Sequence, residues 1–555
     1  MTLVIDGSAA ALVFFACCAT RFRQKRDTGL IHRFYSCMFI RNNNSYKLRH
    51  IQRYMKEKAR YLGVLLLFPL FFTLHGVNEN FALVPIPVVL KLLGKYCLIT
   101  VACSLLLYLV LRNTQKAFTL SIIVLSVYFF FGAGKDFMET HVLKSKLPYR
   151  YLLPLLAVFV LIVYLLVKRT DNRAKRLSAF FSILIVVFFT LDLGLLLFNI
   201  FAGRADEADM GDRQNLLFKQ AKLTPPQNKP TIFWIVVDEY TSAESLKKGW
   251  AYTNPLDSIL RDRGFFIADS ATSNYNYTHY SLASTLDMVY LTGLKNHSVV
   301  TLADLVKGNI SLYENNVVKL LESLNYRIEN FSIYDLKTHK GKAWTTFSEV
   351  PESLIDNQVL FTRIKDDLGW NFPNIFKRDK RAADSMTEYK INQDLDRKYR
   401  NYHRDIYDAI RQDSKQNQPT FFLIHDFIAH EPFIYKADGT LHARFVRLTM
   451  ENYLDQLKYA NTLLVKMIDS ILTTYSDREL VIILQGDHGF KFEEDSPLFE
   501  SESCKILYAV YYSQKKYDSW YPSVSSVNGF RILLNDYFEA NLPLLPDSSY
   551  NLYYR

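Results

Sequence analysis

The sequence predicts a chain in two parts: an N-terminal five-helix transmembrane region, then an α/β domain whose mostly parallel sheet carries helices on both faces. Three observations predict it. Five apolar runs, each long enough to cross a hydrocarbon core, crowd the stretch from Tyr61 to Ile200. Beyond them, short β-rich apolar runs alternate with helix-like segments of mixed composition. Several of those runs end abruptly in acids or histidines, at the sheet edge where ligands sit in open parallel sheets.

The membrane part rests on length and charge. The chain has 555 residues, too many for one ordinary domain, and its 49% apolar content averages an apolar region with a soluble-looking one. The net charge of +11 is equally local: residues 1–60 carry twelve Lys/Arg against Asp6, Asp27 and Glu57, a net of +9. A basic block directly before an apolar run reads as a cytoplasmic flank against anionic lipid. It adjoins a span and holds no nucleic-acid-binding motif, so no nucleic-acid partner is expected. Residues 9–19 are apolar but short, and their positive charges follow rather than precede them, the reverse of a signal peptide. A short interfacial helix and a misplaced start codon both fit that segment.

Spans are expected at 61–77, 96–112, 118–134, 151–167 and 178–201. Arg112 and Lys116 follow the second, and Lys168, Arg169, Arg173, Lys175 and Arg176 follow the fourth, which places those turns in the cytoplasm. Loop 135–150 also carries basic residues, so the bias is imperfect. An odd number of spans puts everything after Ile200 outside the cytoplasmic (inner) membrane, in the periplasm. Loop 78–95 turns from polar to apolar, which suits a segment in the interface with Glu79 at its start. Residues 202–229 carry Pro225-Pro226 and close at Lys229, directly before Pro230, a linker signature. The expected domains are therefore a basic segment 1–60, a membrane domain 61–201, a linker 202–229 and an α/β domain 230–555.

Within 230–555, TIFWIVV (231–237) reads as a buried strand running into Asp238 and Glu239. Helix-like 255–262 follows, then a strand at FFIAD, helices near 281–290 and 313–324, and the strand YRIENFSIY. PTFFLIHDF (419–427) is another buried strand, and 453–472 is an amphipathic helix with three- and four-residue apolar spacing. LVIILQ (480–485) ends in Gly486-Asp487-His488-Gly489, and KILYAVYY (505–512) is a further strand. The C-terminal stretch reads as a closing helix and tail.

Three strand ends thus carry Asp238/Glu239, His425/Asp426 with His430 nearby, and Asp487/His488. Singly, each is an ordinary turn or cap. Together they form a carboxylate and imidazole set suited to a divalent ion, zinc or manganese. Of the six cysteines only Cys504 lies beyond the membrane part, so the α/β domain forms no internal disulfide and offers no thiolate cluster for a metal.

These motifs, in order, resemble the sulfatase-like branch of the alkaline-phosphatase superfamily: VVDEYTS (236–242), NYTHYSLASTLDM (276–288), HDFIAHEPF (425–433) and LQGDHGF (484–490). The resemblance covers roughly 230–520, and five preceding spans are similar to phosphoethanolamine transferases and lipoteichoic-acid synthases. It implies a metal-dependent phosphotransferase or hydrolase that takes a headgroup from a phospholipid donor to a cell-envelope acceptor. Carried over, it implies Thr278 as nucleophile and ligand, Glu239 or its competitor Asp238 as first-strand ligand, Asp487 and His488 as the closing pair, and His430 on the substrate side. A phosphoesterase releasing to water and an inactive membrane scaffold are the alternatives. Two departures stand out. Thr278-His279-Tyr280-Ser281-Leu282 lacks the Cys/Ser-x-Pro-x-Arg pattern of true sulfatases, so sulfate-ester hydrolysis is not expected. No histidine follows Asp487-His488-Gly489 within 490–512.

Overall fold

The computed structural model describes residues 58–81, 83–143, 147–169, 171–202, 223–344, 351–368, 384–442, 450–493 and 496–554. The basic segment up to residue 57 and most of the expected linker, 203–222, lie outside them. The chain separates into two units, Met1–Val64 and Leu65–Arg555. Of the first only the opening turns of one helix are described; the second holds everything discussed below.

The apolar helices are α1 (Lys58–Glu79), α2 (Ile86–Leu111), α3 (Thr114–Phe129), α4 (Phe131–Phe137), α5 (Tyr149–Arg169) and α6 (Asp171–Ala202). Among the described residues four helices, α1, α2, α5 and α6, are long and apolar enough to cross a membrane alone, and the chain is a membrane protein. A fifth crossing requires α3 together with α4 and its π-helical continuation Met138–Leu143, bent by 62° at Phe130. The expected straight run 118–134 is thus a broken one. Phe130 leaves helical geometry (φ −103°, ψ 23°), and just beyond it the Gly132 amide donates to the Gln358 carbonyl at 2.8 Å. A Cβ at Gly132 would meet Asn357 O at 2.9 Å, so the helix breaks where another backbone crosses it. The second span starts at Ile86, earlier than expected, because Pro85 and Pro87 preset its first turn. The expected interfacial loop 78–95 therefore shrinks to a short connection. Inside the bundle Phe72 stacks on Phe129 at 4.9 Å, and Tyr96 meets Phe129 edge-on at 5.3 Å.

The α/β domain has a six-stranded sheet in the order β2-β7-β6-β1-β5-β4. Its strands are β1 (Thr231–Val237), β2 (Phe266–Ile267), β4 (Arg327–Phe331), β5 (Thr420–Asp426), β6 (Leu480–Gly486) and β7 (Tyr508–Tyr512). Strands β1, β4, β5 and β6 run parallel, while β7 and β2 form an antiparallel edge. A separate pair joins β3 (Val299–Val300) to β8 (Tyr553–Tyr554). Every residue of β1, β5 and β6 is buried, which is why these runs read as continuous apolar stretches rather than alternating ones.

Alternate β1 residues serve two cores: Trp234 and Val236 face one, Phe233, Ile235 and Val237 the other. Helices α7 (Thr278–Asp287) and α12 (Ser526–Phe538) cover the first face through Leu282, Leu286, Phe530 and Leu533. Helices α10 (Asp384–Asp413) and α11 (Met450–Thr474) cover the second through Ile406, Ile410, Leu457 and Ile468. Between β4 and α10 the chain forms two short helices, α8 (Ser353–Asp356) and α9 (Leu360–Leu368). The sheet is therefore mostly parallel with helices on both faces, as expected. The expected FFIAD strand is only a two-residue edge, and the 281–290 helix begins earlier, at Thr278.

Candidate active site

The three central strands β6, β1 and β5 are neighbours, so their carboxyl ends lie side by side. Past β1 the Asp238 amide still donates to the Asp426 carbonyl at 2.9 Å. Glu239 then takes φ +62°, a left-handed conformation that costs a non-glycine residue about 1 kcal/mol or more. It is held there because its amide donates to Asp487 Oδ1 at 2.9 Å and its carbonyl accepts from the Tyr453 hydroxyl at 2.8 Å. This turn separates two adjacent acids. Asp238 aims its carboxylate at the ends of β5 and β6, whereas Glu239 Oε1 accepts from the Lys491 amide at 2.9 Å.

At the end of β6 the backbone passes very close to its surroundings. A Cβ at Gly486 would lie 2.3 Å from the Tyr240 carbonyl oxygen, and one at Gly489 would lie 2.4 Å from that of Glu502. Only glycine fits either position. Gly489→Ala is expected to lower stability by about 1–3 kcal/mol and to displace His488; a melting curve and a metal titration of the full chain check both.

Between those glycines Asp487 Oδ1 accepts from the amides of Glu239 and His488, at 2.9 and 2.8 Å. Asp487 Oδ2 is buried without a hydrogen-bond partner, and so is Asp238 Oδ1. His488 Nδ1 lies 2.7 Å from its neighbour's carbonyl, Gly489 O, and donates to it. That fixes the tautomer, leaving Nε2 as a bare lone pair. Nε2 then faces Asp487 Oδ2 at 3.5 Å and Asp238 Oδ1 at 3.7 Å.

Three electron-rich atoms pointed at one another repel unless a cation lies between them. Donor atoms on a tetrahedral zinc, with bonds of ~2.1 Å, stand ~3.4 Å apart, close to the spacing seen. The residues therefore fit a divalent ion held by Asp238, Asp487 and His488, the one group among the described residues whose ligand atoms all lie within 4.8 Å of one another. Glu239 is not in it.

Thr278 opens α7, and its Oγ1 lies 3.3 Å from His488 Nε2. Ser281, one turn on, donates from Oγ to the Asp487 carbonyl at 2.5 Å and ties the helix to the end of β6. His425 is fully buried with Nε2 at 3.3 Å from Asp238 Oδ2, and His430 Nε2 stands 3.9 Å from Asp238 Oδ1. Burial alone would raise the Asp238 carboxyl, but the histidines around it, His430 foremost, outweigh that and hold it well below the usual range. Burial would lower His430, yet the Asp238 and Glu239 carboxylates hold it above its ordinary value.

Sequence reasoning did not find Lys491. Its ammonium lies over the Tyr277 ring, 5.1 Å from the centroid, and its charge reaches His279 and His430. Its only sequence signal is its place three residues after His488.

Acids, imidazoles and a helix-opening hydroxyl are thus gathered at the carboxyl ends of adjacent parallel strands, the arrangement of a metal-assisted enzyme site. The family model described as Sulfatase matches residues 230–530, more than half of the chain, and the chain belongs to that family. Enzymes of the sulfatase family depend on metal ions. Among solved structures the chain is similar to the C-terminal periplasmic domain of phosphoethanolamine transferase EptC from Campylobacter jejuni: 13% identity, 58% of this chain, 96% of that chain, TM-score 0.33. It is also similar to the integral membrane lipooligosaccharide phosphoethanolamine transferase A (EptA) from Neisseria meningitidis: 14%, 86%, 95% and 0.32. An alkaline-phosphatase-superfamily protein from Vibrio parahaemolyticus matches at 13%, 58%, 75% and 0.33. Likenesses of this depth bear on neither substrate nor residue roles. No curated protein matches the chain.

Proposed function

We propose that the protein is a metal-dependent phosphoryl-headgroup transferase, of phosphoethanolamine or phosphoglycerol type. It takes the group from a phospholipid donor to a lipid or glycan of the cell envelope through Thr278. Its catalytic domain lies on the periplasmic side of the inner membrane. One observation carries the reading: two buried carboxylate oxygens without partners face a bare imidazole nitrogen, and a helix-opening hydroxyl stands 3.3 Å from that nitrogen. Threonine in place of a Cys/Ser-x-Pro-x-Arg nucleophile turns the family toward phosphoryl rather than sulfuryl transfer.

Asp238, Asp487 and His488 would hold the cation, with Thr278 Oγ1 beside it. Bound there, zinc or manganese supplies positive charge that lowers the cost of the threonine alkoxide. Thr278 Oγ1, its proton lost to solvent, attacks phosphorus; the bond to the diacylglycerol oxygen breaks and a phosphothreonine diester forms. His430, whose pKa the neighbouring carboxylates raise, gives its proton to the departing alkoxide. In the return step the acceptor hydroxyl passes its proton to His430, its oxygen attacks phosphorus, and the bond to Oγ1 breaks. The positive end of the α7 dipole and the Lys491 ammonium attract the phosphoryl oxygens. Lys491→Met is expected to raise KM for the donor roughly tenfold or more, the worth of one charge-assisted hydrogen bond, with bound metal unchanged; steady-state kinetics with parallel metal analysis checks this.

Peptide mass spectrometry after incubation with native membrane lipids tests the whole reading. An adduct on the Thr278 peptide, absent from Thr278→Ala, is expected, and its mass identifies the transferred group. An unmodified Thr278 in a protein that also holds no metal would remove the enzyme reading and leave a scaffold.

A further inference from the structure

The crossover from β4 to β5, residues 332–419, leaves the sheet at the active-site edge. Tyr334 lies parallel to His425 at 6.4 Å and edge-on to His279 at 5.3 Å. Trp344 then packs edge-on against Tyr399 and Tyr402 of α10 and against Phe427. Farther along, α8 and α9 sit against the membrane helices through three kinds of contact. The apolar part is a small core in which Ile364 and Leu360 of α9 meet Phe131, Tyr149 and Leu152. Close backbone approach is the second: Gly132 bonds to Gln358, and a Cβ at Gly76 would stand 2.8 Å from Ile355 Cγ1.

The third is charge. Asp356 accepts from Lys95 Nζ at 2.7 and 2.8 Å, from the Tyr96 hydroxyl at 2.6 Å and from Thr362 Oγ1 at 2.9 Å. Lys91 pairs with Glu352 at 2.7 Å, and Arg363 with Asp136 at 2.6 Å. Cations on α2 thus meet anions at the start and end of α8, Glu352 at its N-cap and Asp356 in its last position. The Asp356 side chain is only 10% exposed, and a carboxylate so enclosed is tolerated because its donors satisfy it. A domain that needed only a tether would keep free relative motion and would have no use for such an interface.

We infer that residues 351–365 are a dock that fixes the active-site edge relative to the membrane helices and so restricts the enzyme to phosphodiesters carried in the bilayer. Asp356 is its positioning residue, acting through Lys95 and Tyr96 rather than on substrate. This rests on the reading of the site as one that takes a membrane-borne phosphodiester.

The test compares two donors for the full chain in nanodiscs of phosphatidylethanolamine and phosphatidylglycerol: those lipids, and water-soluble bis(p-nitrophenyl) phosphate. Asp356→Ala is expected to cut lipid turnover at least ~10-fold, the effect of a misplaced substrate. Turnover of the soluble ester and metal content should stay within about twofold. The exchanged pair Lys95→Asp with Asp356→Lys should recover lipid turnover. Lipid turnover unchanged in Asp356→Ala, or both activities falling together without recovery in the exchanged pair, overturns the dock. If the wild type turns over neither donor, the transferase reading fails and hydrogen exchange decides the dock. Protection of 351–365 that opens in Asp356→Ala while β1 and β6 stay protected supports it; no protection in the wild type overturns it.

Discussion

Alanine at Thr278 is expected to lower turnover of a phospholipid donor by roughly 10³-fold or more, since a nucleophile and everything organised around it are lost together. The fold should survive. Thr278 is half-buried at the opening of α7, and Ser281 rather than Thr278 ties that helix to the end of β6. The variant should therefore melt near the wild type and keep its metal, with kcat falling and KM for the donor nearly unchanged. A drop in kcat accompanied by loss of metal would make Thr278 a ligand first and remove the case for it as nucleophile. Full activity in the variant would mean that the reaction passes through no enzyme-bound phosphodiester at this residue.

Asp487→Asn is expected to have an effect of similar size by another route. The amide keeps the shape and still accepts from the Glu239 and His488 backbone through its oxygen, but it removes one negative charge from the cluster. Loss of residues that merely support a metal ligand costs 10–100-fold in affinity, so loss of a ligand should cost at least ~100-fold. Its stability signature is distinctive. With chelator present, the substitution relieves repulsion between Asp487 and Asp238 and should raise the melting temperature. With excess metal the order reverses, because the wild type gains binding free energy that the variant lacks. Melting curves in both conditions check the sign change; the same order in both would show that no cation sits between these side chains. The parallel pair Asp238→Asn and Glu239→Gln separates the neighbouring acids: the first should lose metal, and the second, whose amide oxygen still accepts from the Lys491 backbone, should keep it.

The parts legible in the sequence are those where a local pattern carries the physics. Strands β1, β5 and β6 are buried on both faces, so their apolar runs stand out, and the polar residues that end them mark the edge of the sheet. Thr278 and Ser281 were singled out by the resemblance of 276–288 to the family's nucleophile segment, and the structure places both in the first turn of α7. The choice between Asp238 and Glu239 was not legible. Both follow the same strand, and what separates them is a positive φ at Glu239, stabilised by contacts with residues far along the chain. The bend at Phe130 was equally hidden: hydropathy measures how apolar a run is and not its direction, and the cause lies at Asn357 and Gln358. Nothing in the local sequence marks Asp356, since its partners Lys95 and Tyr96 sit 260 residues away or more.

The order of the proposed ligands along the chain has a consequence for biogenesis. Asp238 ends β1, near the start of the α/β domain, while Asp487 and His488 end β6, near its close, and the two strands pair directly. A chain emerging N-terminus first thus presents one carboxylate long before the other two ligands exist. On the topology proposed above, the site can close only after β6 has left the cytoplasm and inserted beside β1. The cation would then be selected from the metal pool outside the membrane, and cytoplasmic metals would never meet a complete set of ligands. A chain truncated before Leu480 should accordingly retain no metal, so that maturation of the enzyme and completion of its export become the same event.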